Sequence, residues 1–329
     1  MSLKDKLQII IITYNRQKHV QNMLGSLLAS DAPTKNLNIL VLDNNSTDNT
    51  EDVVKTLQAQ YPNVQYLKNH YNLGIGGNIA RAMEIANQEY VWILGDDDVL
   101  HFKAWPDLED AIHQNREIIV AARYAIPNGC EKSIIHMIWQ MTFISACIFK
   151  TSIFNDTTMT NIINNIYTLF PHLVPVVEYI NDGNARQIYT LPHALVSNGI
   201  KPGTDCSYVR GYKSEKLYLK QRSMSWIVGF IDVMIELKDK KLLQQLLPAI
   251  HPSWGSFYTH IYWTYVAEHN WLPVCETIRA LPWPHRIGLL CYCYFPIMLR
   301  YHLNGYVYLH IFSFCKIKLW KLRDNALCC

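Results

Sequence analysis

The chain is 329 residues long, half of them hydrophobic and 17% charged, with a formal net charge of +3 at pH 7. This composition excludes a disordered chain and supplies a sizeable core for one large domain or two ordinary ones. The charge by itself is too small to argue for nucleic acid. Nine cysteines are present. Cys291 and Cys293 are separated by one residue, and Cys328 and Cys329 are adjacent. Neither spacing suits a tetrahedral zinc set or a disulfide framework, so the thiols read as the reduced thiols of a cytosolic protein. The opening "MSLKDKLQIIIITYNR" has too short an apolar run for a signal peptide, which predicts a cytoplasmic location.

Residues 8–13, "QIIIIT", predict a strand buried on both faces. Val20, Met23, Leu24, Leu27 and Leu28 recur at helical spacing over 17–30. "LNILVLD" (37–43) predicts a second buried strand. Ser46 or Thr47 is expected to cap a helix carrying Val53, Val54 and Leu57. "VQYLKN" (64–69) is a third strand, "GGNIARAMEIANQ" (76–88) a helix, "YVWIL" (90–94) a fourth strand, and "EIIVAAR" (117–123) a further one. Alternation of this kind implies an α/β fold, a mostly parallel sheet with right-handed crossovers and flanking helices. Ligands in such sheets bind at the carboxyl ends of the strands.

From about residue 205 the alternation stops and the segments become helical and rich in Trp and Tyr. Residues 1–205 are therefore read as the α/β domain and 206–329 as a helical region. The apolar runs 287–299 and 306–315 are shorter than the roughly 20 residues that span a bilayer. Arg286, Arg300, Lys316, Lys318, Lys321 and Arg323 flank them. Helices lying in a membrane interface have this composition, as does a buried helical core with a solvated basic edge.

The four strand ends carry the chemistry: Thr13, Tyr14, Asn15 and Arg16; Asp43, Asn44, Asn45, Ser46 and Asp48; Asn69, Asn72, Gly74, Gly76, Gly77 and Asn78; Gly95, Asp96, Asp97 and Asp98. A nucleobase would stack beside Tyr14 and donate a hydrogen bond to Asp43. Glycine-rich backbone opening a helix suits a ribose or phosphate. Three adjacent aspartates need a cation, and oxygen-only ligands select Mg²⁺ or Mn²⁺. Read alone, Asp43 is an ordinary turn residue and a glycine-rich stretch is weak evidence. Their joint occurrence in this order points to a nucleoside diphosphate bridged by a divalent ion.

The series "IIIITYNR", "ILVLDNNSTDNT", "NHYNLGIGGNIARAME" and "YVWILGDDDV" resembles the family 2 glycosyltransferases, which have the GT-A fold. "WILGDDD" and the overall length resemble bacterial enzymes of O-antigen, capsule or lipooligosaccharide assembly, abequosyltransferase-like members among them. The resemblance implies that Thr13, Tyr14 and Asn15 line the base and ribose pocket and that Asp43 contacts the base. It sets Asn72 and Asn78 near the ribose and phosphates. Asp96 and Asp98 become the outer members of a DxD motif, Asp96 toward ribose or metal and Asp98 toward the metal, with Asp97 between. Many relatives carry Arg where this chain has Gly77; Arg81, one turn on, is the substitute. The implied donor is UDP- or dTDP-linked.

Inverting glycosyl transfer needs a general base for the acceptor hydroxyl. The family places an Asp or Glu in the second half of the domain, often in an "ED" pair that this region lacks. "SACIFKTSIF" (145–154) resembles the segment preceding the base, and counting on reaches His172, Glu178 and Asp182. His172 and Glu178 are the leading candidates, followed by Asp156. The expected protein is a metal-dependent inverting glycosyltransferase. It acts on a glycan or lipid-linked acceptor, peripherally at the cytoplasmic face of the inner membrane, and takes no nucleic acid. The rivals are a nucleotidyltransferase and a non-catalytic nucleotide-sugar-binding scaffold. The first would be expected to carry a glycine-rich loop after the first strand, and "TYNRQKH" has no glycine.

Overall fold

The computed structural model describes residues 3–121, 133–199 and 226–249. The chain divides into two compact units, Met1–Ser223 and Met224–Cys329. The boundary expected at 205 and the basic, aromatic stretch 286–323 both lie outside the described residues.

The run of four isoleucines does form a strand buried along its whole length, β1 (Leu7–Thr13). β-Branched side chains lose little freedom in a pleat covered on both faces, so they favour this position. β2 (Asn38–Asp43), β3 (Val64–Lys68) and β4 (Tyr90–Gly95) join it in parallel. Together with β6 (Ile118–Val120), β7 (Cys147–Lys150) and β8 (Tyr189–Thr190) they make a seven-stranded sheet in the order β3-β2-β1-β4-β7-β6-β8. β7 is antiparallel to both neighbours. β5 (Asp98–Leu100) and β9 (Val196–Asn198) form a separate antiparallel ribbon.

On one face Leu7, Ile9 and Ile11 of β1 pack with Ile39, Val41 and Trp92 under helices α1 (Gln17–Leu27), α2 (Thr50–Gln60) and α4 (Trp105–His113). Helix α3 (Gly74–Glu84) lies against β1 and β4, burying Ile79, Ala82 and Met83. Helix α5 (Ile134–Met141) precedes β7. Helix α6 (Asp156–Asn164) packs on α3 and on α7 (Val174–Asn181). Among the described residues of the second unit are two helices, α8 (Trp226–Met234) and α9 (Lys240–Ala249). Asp239 accepts from the backbone N–H groups of Lys241 and Leu242 at the start of α9.

Two expectations are corrected. Neither Ser46 nor Thr47 caps α2, which starts at Thr50 with Asn49 at the cap position; the carboxylate of Asp48 accepts from the Thr50 N–H instead. Ser46 is drawn away because its hydroxyl and N–H both bond to Asp43. Helix α3 begins at Gly74 rather than Gly76, so the glycines lie inside its first turn. A β-carbon at Gly76 would stand 1.9 Å from the Ile166 carbonyl oxygen, so glycine there lets α3 close onto the 166–168 turn.

Candidate active site

Four parallel strands side by side must end at one edge, and this brings their polar C-termini together. The ends of β1 and β4 are joined directly: Thr13 Oγ1 donates to Asp96 Oδ2 at 2.6 Å. Arg16, just beyond β1, donates to Asp96 Oδ1 at 2.7 Å and to Asp97 Oδ2 at 3.1 Å. Asp96 is 3% exposed, so this ion pair stands where water cannot screen it. Burial pushes the Asp96 carboxyl up to about 6, against the pull of Arg16 and Thr13. Burial also works against the Arg16 charge, but Asp96 and Asp97 overcome it and hold that guanidinium above its ordinary pKa.

Asp98 is held differently. Its Oδ2 accepts from the Gly95 N–H at 3.1 Å and from the hydroxyl of Ser145. Burial, reinforced by the neighbouring charges of Asp97 and Asp96, raises its carboxyl to about 8. A β-carbon on Gly95 would stand 2.9 Å from Asp98 Oδ2 and 3.2 Å from Asp97 Oδ1, so both carboxylates crowd over that glycine. From the other side, a β-carbon on Gly199 would stand 2.0 Å from the Asp97 carbonyl oxygen, where β9 runs beside β5.

This donor set fits a hard divalent cation. It is all oxygen, and the acidic residues that burial holds above their normal pKa are those a cation would return to the ionised state. Mg²⁺ and Mn²⁺ sites typically use one or two carboxylates, completed by substrate phosphates and water. Asp98 supplies one of these; for a second, Asp96 has both oxygens on Thr13 and Arg16, and Asp97 has one oxygen on Arg16.

The ends of β2 and β3 form a neutral lattice. Asn44 uses its whole amide: Nδ2 donates to Asn72 Oδ1 and the Gly74 carbonyl, and Oδ1 accepts from Asn69 Nδ2 and the Leu73 N–H. Asn69 also donates to Asn78 Oδ1, and Asn78, almost fully buried, reaches the Leu42 carbonyl. Asp43 is fully buried, with Oδ1 bonded to Ser46 and Oδ2 to the hydroxyl of Tyr66. Burial and that carboxylate raise the Tyr66 pKa. Asn15 adopts φ +53° and ties the two strand ends together, its N–H to Ser46 Oγ and its Oδ1 to the Thr47 N–H. Tyr14 is half-buried beside it.

The remaining candidates stand apart. Arg81 pairs with Glu84 on the outer side of α3. Glu178 braces α6 against α7, its two oxygens accepting from Thr158 Oγ1 and Asn161 Nδ2, each at 2.6 Å. Asp156 is exposed at the start of α6. His172 is 1% exposed, and burial pulls its pKa down to about 4. Its Nε2 lies 3.0 Å from the Met141 carbonyl, which can only accept; the proton therefore sits on Nε2 and leaves Nδ1 as a buried acceptor without a partner.

Sequence reasoning noted Arg16 only as a strand-end residue, yet it carries the charge that balances Asp96 and Asp97. Ser145 it missed altogether. No local pattern marks that serine, because its partners Gly95 and Asp98 are about fifty residues away.

A mostly parallel sheet whose carboxyl edge gathers an aspartate triplet defines the class as a GT-A glycosyltransferase fold. Residues 8–173 match the family described as Glycosyl transferase family 2, and the chain belongs to that family. It is similar to abequosyltransferase RfbV of Salmonella typhimurium, 25% identical over 214 residues, covering 62% of this chain and 64% of that protein. It is 38% identical over 96 residues to a GalNAc(5)-diNAcBac-PP-undecaprenol β-1,3-glucosyltransferase of Campylobacter jejuni, covering 29% of this chain and 30% of that one. The chain thus spans less than two thirds of these curated relatives. Among solved structures, S. aureus TarS 1–349 in complex with UDP-GlcNAc superposes with a TM-score of 0.58 at 17% identity, over 87% of each chain. No helix among the described residues is long and apolar enough to cross a membrane.

Proposed function

We propose that this protein is a metal-dependent, inverting glycosyltransferase of surface-polysaccharide synthesis. It moves a sugar from a UDP- or dTDP-linked donor to a glycan or lipid-linked acceptor. The observation that carries this reading is the joining of β1 and β4 through Thr13, Arg16, Asp96 and Asp97, with Asp98 beside them at the carboxyl edge. Family membership supports the same chemistry. The abequosyl- and glucosyltransferase relatives support a glycan or lipid-linked acceptor.

In this reading Thr13, Tyr14, Asn15 and Asp43 shape the base and ribose pocket. Asn72, Asn78 and Arg81 serve the ribose and phosphate side, and Asp96 and Asp97 complete the donor site. Asp98, with Asp97 or Asp96, would hold Mn²⁺ or Mg²⁺. The ion, when bound, supplies Lewis-acid stabilisation of the departing diphosphate. A base takes the acceptor hydroxyl's proton as that oxygen attacks the anomeric carbon; the bond from that carbon to the diphosphate oxygen breaks, and the nucleoside diphosphate leaves. The sequence resemblance puts the base at His172; its Nδ1 carries no hydrogen, but it is buried and stands apart from the aspartate edge, so the assignment rests on that resemblance and not on this geometry. Glu178 is the alternative.

The basic, aromatic residues of 286–323 support peripheral contact with the cytoplasmic face of the inner membrane. Deleting 286–329 is expected to release the protein from membranes; unchanged sedimentation would count against that contact.

The test of the main reading is a thermal-shift panel of nucleotides with and without Mn²⁺. UDP or dTDP with Mn²⁺ is expected to raise Tm, since ligand at a hundred times its Kd adds about 2.7 kcal/mol. No response to any nucleotide under either condition would sink the reading. For the base, His172→Gln is expected to lower kcat by about 10²–10⁴-fold with donor KM retained; an unchanged kcat would pass the role to Glu178→Gln.

A further inference from the structure

Ser145 stands at a junction that neither the motif nor the base assignment uses. It is fully buried in the turn leading into β7, and its backbone is fixed on both sides. Its carbonyl accepts from Trp92 Nε1 at 2.7 Å, and the next carbonyl, of Ala146, accepts from the Ala121 N–H at 2.7 Å. The hydroxyl is equally constrained. Its oxygen accepts from the Gly95 N–H at 2.9 Å, so its one proton is free for Asp98 Oδ2, which also takes the Gly95 N–H. Gly95 N–H, Ser145 O–H and Asp98 Oδ2 thus close a three-membered ring of hydrogen bonds.

We propose that Ser145 is a positioning residue for the divalent cation: it fixes the Asp98 carboxylate by one oxygen and leaves Oδ1 as the ligand. The inference rests on the metal-dependent reading above. The physical reason is geometric. A short aspartate has two rotatable side-chain bonds, and a donor rigidly mounted on a neighbouring strand removes the freedom of the second. The Trp92 indole carries this rigidity from β4, the strand that leads into the aspartates, so the serine and the carboxylate are referenced to one element. Outer partners of metal-bound carboxylates and imidazoles typically contribute 10–100-fold to metal affinity.

The experiment is a titration of the full-length protein with Mn²⁺ in the presence of saturating UDP, followed by electron paramagnetic resonance. Unmutated protein, Ser145→Ala, Ser145→Cys and Asp98→Asn are compared. Ser145→Ala is expected to weaken Mn²⁺ binding by about 10–100-fold, with metal-free UDP affinity unchanged by calorimetry. Ser145→Cys keeps nearly the same volume with a weaker donor, is expected to fall between, and carries the test should the alanine variant not fold. Mn²⁺ affinity within twofold of the unmutated protein in a folded Ser145 variant would overturn the proposal, as would an equal loss of metal-free UDP binding. Failure of the unmutated protein to bind Mn²⁺ with UDP would instead overturn the metal-dependent reading, and the role of Ser145 with it.

Discussion

The aspartate triplet and the asparagine lattice lie at the same edge of the same sheet, yet they solve burial in opposite ways. Asn44, Asn69, Asn72 and Asn78 are neutral and bond mainly to one another and to nearby backbone. A buried network satisfied in this way rigidifies a loop at little electrostatic cost. Asp96, Asp97 and Asp98 place three acids in sequence with one guanidinium among them, and burial holds two of them above the ordinary carboxylate range. The lattice is therefore neutral and bonded within itself, and the triplet is where further positive charge would be stabilised. Within the triplet the same division recurs: Asp96 is balanced by Arg16, whereas Asp98 meets only neutral donors.

The sharpest way to break this comparison is Asp98→Ala. It should reduce turnover at least about a thousandfold, the scale of several kcal/mol of lost Lewis-acid assistance. The fold should survive, as judged by circular dichroism. Full activity of that variant in the presence of chelator would show that the two regions do not differ in function. Arg16→Met comes next, because it strands the buried Asp96 carboxylate. Breaking a buried pair costs about 3–5 kcal/mol, to be read from the urea midpoint; a loss below about 1 kcal/mol, the scale of an exposed pair, would mean that Arg16 is not the balancing charge.

His172 offers a titratable group kept neutral by burial, a third case between the two. Its folded-state pKa of about 4 lies below the ordinary 6.5, so the unfolded chain takes up a proton first as pH falls. Stability is then fully present above about 6.5 and declines toward pH 4, by on the order of 3 kcal/mol. His172→Gln should flatten the stability profile across that window, and an unchanged slope would contradict the buried neutral ring. The smallest effect is expected at the hub of the lattice. Asn44→Ala removes the acceptor of the Leu73 N–H and of one Asn69 amide hydrogen, for about 1–3 kcal/mol, while Mn²⁺ affinity with UDP stays within a few-fold. A collapse of metal binding would erase the distinction between the lattice and the triplet.

Much of the architecture was legible because it is written locally. "QIIIIT" can only be satisfied when covered on both faces, and strand–helix alternation leaves right-handed parallel crossovers as the economical topology. The same logic brought Thr13, Asp43, Asn72 and Asp96 to one edge before any coordinates. Local reading misjudged the start of α3, because the reason for Gly76 is the Ile166 carbonyl, about ninety residues away in sequence. It set no limit on what His172 and Glu178 touch, since burial against Met141 and bracing by Thr158 and Asn161 arise only when helices pack.

The amino-acid order alone determined that a carboxylate-bearing parallel sheet would form, since hydrophobic period and strand-end chemistry depend on neighbours in the chain. Only the tertiary structure decided how the three aspartates divide their tasks. Arg16 reaches Asp96 and Asp97 because β1 and β4 are adjacent, and Ser145 reaches Asp98 because β7 folds back antiparallel onto β4. Partners of this kind are set by which strands lie side by side, and hydrogen bonds and buried charge respond to distance in space rather than in sequence.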